Sequence, residues 1–175
     1  MSRRILLCCA AIVAALSVIA RAAETVRITP ITVDQKVYVT FELTDAFTDA
    51  IRQAIQSGLR TTFSYDVALR MEAWVDRTIA TTVVSTSDQY DNLTRQHRLT
   101  RTVDGRVEEA TVTDDEAVVR AWLTKWKRLP LCDTTKLDAT RDYYVRISAR
   151  ARPSSGSLIG WASSITGQTK FTFIP

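Results

Sequence analysis

Between residues 59 and 71 the chain alternates without a break. Leu59, Thr61, Phe63, Tyr65, Val67, Leu69 and Met71 fall on one side, and Arg60, Thr62, Ser64, Asp66, Ala68 and Arg70 on the other. A helix would mix these two sets; only an extended strand with one buried and one wet face separates them. The same period of two returns twice. Val37, Val39, Phe41 and Leu43 alternate with Tyr38, Thr40 and Glu42, and Tyr143, Val145, Ile147, Ala149 and Ala151 alternate with Tyr144, Arg146, Ser148, Arg150 and Arg152. Residues 26–43 read as two strands, 78–94 as one or two more, and 170–174 as a short last strand. Asp104-Gly105, between apolar-alternating stretches at 93–103 and 107–112, is a hairpin signal because both residues accept positive φ.

Two helices interrupt the strands. Thr44 reads as an N-cap with Asp45 in the first turn, Phe47, Ile51 and Ile55 form one apolar stripe, and Ser57-Gly58 closes the helix. Thr113-Asp114-Asp115-Glu116 reads as a capping box. Val118, Trp122, Trp126 and Leu129 would be the apolar face of that helix, Lys125, Lys127 and Arg128 its cationic end, and Pro130 its stop. Hairpins outnumber crossovers, so the expected fold is mainly β. It is an antiparallel β-sandwich of about eight strands with two short helices, one domain over residues 23–175.

The N-terminus has a different character. Arg3-Arg4 precedes 16 uncharged residues, Ile5 to Ala20, and Ala20-Arg21-Ala22 supplies small residues at −3 and −1. This is the order of a secretory signal peptide over residues 1–22, and the apolar run is shorter than the roughly 18 residues of a spanning helix. A retained anchor is the alternative. Cleavage after Ala22 would take three arginines away, leaving 20 basic against 19 acidic residues, so the pI near 9.1 overstates the charge of the exported protein. Nucleic-acid binding then has no global electrostatic support. Cys132 would be the one remaining cysteine, which rules out an internal disulfide.

Chemistry-bearing patterns are sparse. His97 is the one histidine of the chain, and its sheet-like context reads as a partly exposed strand residue rather than a catalytic base. One histidine and one cysteine fall short of the three or four ligands of a zinc site, so no structural metal and no cofactor are expected. No nucleophile elbow surrounds any serine. Asp114, Asp115 and Glu116 have a capping task, and Glu108-Glu109 reads as a solvated strand end. The expectation is a protein that is not an enzyme.

Arginine usage is the exception. After cleavage the chain would hold 15 arginines and five lysines. Arg60 and Arg70 project from the polar side of one strand, and Arg146, Arg150 and Arg152 from that of another. A solvated, charge-interspersed face is the plain reading. The functional reading is a surface of planar donors for carboxylate or phosphate groups on a partner.

Several of these pieces occur together in a known pattern. Residues 51–59, Phe63, Arg70, Trp74 and Asp76, then Tyr90 with Leu93-Thr94-Arg95-Gln96, then Leu129-Pro130, resemble an uncharacterised bacterial family, domain of unknown function 4390. The resemblance implies a small exported or envelope protein and carries no activity or cofactor with it. The leading expectation is a noncatalytic binding module of the cell envelope, with an envelope or membrane protein as partner. The alternative is a carrier of a small ligand or lipid in an apolar cavity between the sheets, lined by Trp74, Trp122, Trp126 and Trp161.

Overall fold

The computed structural model describes residues 26–153 and 164–174. The expected signal segment, its expected cleavage site after Ala22, and Trp161 lie outside the described residues. Nine strands are described: β1 Val26–Val33, β2 Lys36–Leu43, β3 Thr61–Met71, β4 Arg77–Asp91, β5 Gln96–Val103, β6 Arg106–Thr113, β7 Lys125–Asp133, β8 Asp142–Pro153 and β9 Ile165–Thr172. Helix α1, Asp49–Gln56, lies between β2 and β3, and helix α2, Glu116–Thr124, between β6 and β7. A three-stranded sheet in the order β1-β2-β7 faces a six-stranded sheet in the order β6-β5-β4-β3-β8-β9. Every ladder is antiparallel. The fold is an open sandwich, mainly β.

The alternation read from the sequence is what builds the core. Val37, Val39, Phe41 and Leu43 of β2 face Phe63, Tyr65, Val67 and Leu69 of β3 and Tyr143, Val145, Ile147, Ala149 and Ala151 of β8, all buried. The Phe41 and Tyr65 rings meet across the sheets at 5.0 Å. Tyr65 donates its hydroxyl proton to the Leu123 carbonyl, which Thr86 also reaches at 3.1 Å, so the buried phenol is satisfied and α2 is tied to the sheet. Gly167 of β9 leaves room for Val26 of β1, where a Cβ would stand 2.7 Å from that of the valine. The Asp104-Gly105 hairpin forms as expected, with φ of 46° and 81°.

The local reading needs correction in several places. Helix α1 begins four residues later than expected: Thr48, not Thr44, is its N-cap, accepting from Ile51 N, and Asp49 supplies the first-turn charge. In α2 the cap is Asp115, accepting from Ala117 N at 2.7 Å, and the inward residues are Val119, Trp122 and Leu123, with Val118 exposed. That helix ends at Thr124. Residues 125–133 are strand β7, so Trp126 and Leu129 are strand residues, opposite Phe41 and Val39 of β2. Of the expected cationic end only Lys125 meets the helix, as its C-cap, donating its backbone N–H to the Ala121 carbonyl, while Lys127 and Arg128 lie out along the strand. The spacing of 122, 126 and 129 imitates a helical stripe, but pairing with β2 buries Trp126 and Leu129 at least as well. Pro130 is tolerated because β7 borders its sheet and one side of its backbone has no strand to pair with. The 78–94 stretch is the single strand β4, and the last strand spans Ile165–Thr172 rather than 170–174.

Candidate functional site

The strand registers decide where the arginines go. On β3 the even-numbered residues point away from the core, and β8 pairs with β3 so that Ala68 stands opposite Arg146, Ser64 opposite Arg150 and Thr62 opposite Arg152. Arg60 just precedes β3 on the same side, and Arg70 stands opposite Tyr144. Two sets of arginines that the sequence placed on separate strands therefore occupy one outer face. Asp66 is the acid among them, 3.4 Å from Arg150, with both side chains about half exposed. Arg60 donates to Ser87 at 3.2 Å. Arg146 and Arg152 are exposed and make no ion pair with a described residue. Thr62, Ser64, Ser148 and Thr166 fill the spaces between with hydroxyls.

Arg70 differs from the other four. It lies 5.8 Å over the Tyr144 ring, and Tyr144 in turn donates its hydroxyl to Asp76 at 2.5 Å. That hydrogen bond, with Arg70 nearby, holds the Asp76 carboxyl below the usual carboxylate range. Arg70 thus braces the β3–β4 turn, and the exposed guanidinium surface consists of Arg60, Arg146, Arg150 and Arg152.

The three described tryptophans, Trp74, Trp122 and Trp126, do not line a cavity together. Trp74 stands fully exposed in the β3–β4 turn, a correction to its expected place in a cavity wall. Trp122 and Trp126 are buried around Arg101, whose guanidinium lies 4.1 Å and 5.0 Å from their rings. Arg101 also donates to the Lys125 carbonyl at 2.8 Å and to Glu109 at 3.3 Å. This stack is filled rather than hollow. Where Leu43 of one sheet approaches Phe63, Ala149 and Ala151 of the other, the gap is about 10 Å³, no larger than a single water position.

His97 is also corrected. It is buried on β5, with Nδ1 2.8 Å from Oδ2 of Asp88 on β4, an aspartate with no exposed surface. The Tyr90 ring lies 4.6 Å from the imidazole. Burial pushes the Asp88 carboxyl above its ordinary range, against the opposing pull of His97. His97 and Tyr90, but not Asp88, border a pocket of about 150 Å³ that also touches Phe47, Arg52 and Arg95. Arg52 there bridges Asp49 at 2.5 Å and Glu116 at 2.6 Å, joining α1 to α2. Asp88 had a sequence signal that went unread: it continues the inward series Val84, Thr86, Asp88, where an acid requires a buried partner.

A larger cleft of about 550 Å³ opens at the far end of the six-stranded sheet, with Arg77, Lys136 and Arg141 around Met71, Ile79 and Leu137. Among the described residues, no three His, Cys, Asp or Glu side chains gather as they would to hold a metal ion. Cys132 is half-buried, and desolvation raises its thiol pKa, which makes it a poor nucleophile. No described helix is long and apolar enough to cross a membrane.

The family model described as Domain of unknown function (DUF4390) matches residues 20–156, and the chain belongs to that family. No curated protein and no solved structure matches the chain.

Proposed function

We propose that this member of the DUF4390 family is a noncatalytic binding module of the bacterial cell envelope, exported behind residues 1–22, which offers its arginine face to acidic groups on an envelope or membrane protein. The observation that carries the reading is the segregation of charge. A chain with nearly balanced totals beyond residue 22 assembles Arg60, Arg146, Arg150 and Arg152 on one sheet face with Asp66 as the acid between them, while Arg70 is held beside Asp76 at the turn. Guanidinium forks bind carboxylates with two parallel hydrogen bonds, and strands hold them at regular spacing on a rigid support.

The test is crosslinking of tagged protein in its own cells, with mass spectrometry of what co-purifies. Export predicts a mature protein beginning at Ala23, and the binding reading predicts one dominant envelope protein. Replacing Arg146, Arg150 and Arg152 with serine removes that capture by about tenfold or more while the melting temperature holds, since exposed charges contribute little to stability. Unchanged capture by the triple variant overturns the site. Recovery of lipid or a small molecule in place of a protein favours the carrier reading. The site open to it is not the apolar cavity between the sheets first expected of a carrier but the cationic cleft formed by Arg77, Lys136 and Arg141.

A further inference from the structure

Four strands border the two sheets: β1 and β7 on the smaller, β6 and β9 on the larger. A bordering strand is a template for another chain unless something blunts it; proline and lysine are two of the means, and other charges and bulges are further ones. Three of the four carry such residues. Pro30 lies in β1, Pro130 with Lys125 and Lys127 in β7, and Lys170 in β9. Strand β6, with the sequence RVEEATVT, has neither residue, its edge charges being Arg106, Glu108 and Glu109, and all but its last position are exposed. It nevertheless presents Val107 and Val112 to solvent, at 66% and 55% exposure.

A bulge gives this edge an internal symmetry. Glu109 stands opposite Arg101 but Val107 opposite Thr102, so Glu108 is an extra residue. Val112 pairs with Arg98, Ala110 with Thr100 and Val107 with Thr102. All three therefore share the outer face, although Val107 is odd-numbered and the other two are even.

We propose that β6 pairs antiparallel with β6 of a second copy of this chain, about a two-fold axis at Ala110. In that register Ala110 faces its own equivalent and Glu109 faces Thr111. With Glu108 left out of this ladder as it is left out of the first, Val107 faces Val112 and Arg106 faces Thr113. Every residue then meets one from its own face of the sheet, two valine pairs form, and no two like charges stand opposite each other. Neighbouring registers lack this fit. An axis at Glu109 sets glutamate against glutamate, and an axis at Thr111 loses both valine pairs.

The axis is normal to the sheet, so the two outer faces stay on the same side of a continuous sheet. The arginine rows of the two copies come to lie on the same face of one twisted sheet, with their β3 strands seven strand spacings apart, about 33 Å along it. The pairing itself rests on β6 alone and stands whether or not the arginine face binds a partner.

The test uses purified protein carrying Cys132→Ser. Directly opposed strand residues have Cα atoms about 4.5–5.5 Å apart, within disulfide range, so Ala110→Cys gives a disulfide-linked dimer on mild oxidation. Thr166→Cys, exposed on the opposite edge strand, stays monomeric under the same treatment. By sedimentation velocity the unmodified protein dimerises with concentration, and Val107→Lys/Val112→Lys raises the dissociation constant about tenfold or more, since the two-fold makes each change count twice. A circular dichroism spectrum and melting temperature like the parent's confirm that the double variant is folded. A protein that stays monomeric at its solubility limit, with no Ala110→Cys crosslink, overturns the proposal. So does a dimer indifferent to the lysines.

Discussion

Asp88 and Asp66 stand on adjacent strands of one sheet, each beside a nitrogen-bearing side chain of a neighbouring strand, and differ in the side they face. Asp88 points into the sandwich and reaches His97 at 2.8 Å with no exposed surface; Asp66 points outward and reaches Arg150 at 3.4 Å with half its surface wet. The inner pair has been stripped of water and depends on its partner for solvation. The outer pair keeps its water, so each charge remains available to a third party. An acid set beside a basic side chain on the neighbouring strand thus serves rigidity on the inner face and stays open to solvent on the outer one.

Three measurements sharpen or break that contrast. The largest effect belongs to His97→Ala, which leaves Asp88 buried and unpaired; a loss of about 3–5 kcal/mol is expected in denaturant unfolding. A loss under about 1 kcal/mol would make the inner pair no different from a surface one. Next comes pH. The folded Asp88 carboxyl binds its proton more tightly than the unfolded one, so between the ordinary carboxylate range and its raised value the folded state holds more protons. Its contribution to stability is therefore complete below that window and lost as pH rises through it. Asp88→Asn, which does not titrate, should flatten the fall in melting temperature from about pH 4 upward. Smallest is the outer pair: a double-mutant cycle on Asp66→Ala and Arg150→Ala should give a coupling below about 1 kcal/mol that disappears in high salt. A coupling as large as that of the inner pair would mean that Arg150 is committed to the fold and not offered to a partner.

How far the sequence could be read follows from the period. Strands β2, β3 and β8 each carry enough alternating residues to declare both their conformation and their buried side, and they form the centre of the core. Signals that depend on one or two residues were less secure. Thr44 and Thr48 are both hydroxyls ahead of an acid, and the apolar spacing of α1 cannot choose between them. Trp122, Trp126 and Leu129 satisfy a helical period by coincidence, and only the pairing of β7 with β2 turns the last two into strand residues. The site shows the same limit. Alternation put each arginine on a wet face, but the β3–β8 register that brings them together is a long-range fact. Asp88 needed His97 from the next strand before its burial made sense.

The order of the strands has a consequence for how the chain assembles. β3, β4, β5 and β6 follow one another as hairpins, each closing a short loop, whereas β2 waits for β7 and β3 waits for β8, partners that lie far along the chain. Short loops lose little entropy on closing and close quickly; distant pairings come slowly and set the overall rate. The β3–β6 meander is therefore the natural nucleus, with its apolar face uncovered until the N-terminal hairpin has found β7 and been laid across it. The contacts that seal the two layers are the ones the chain must wait longest to make.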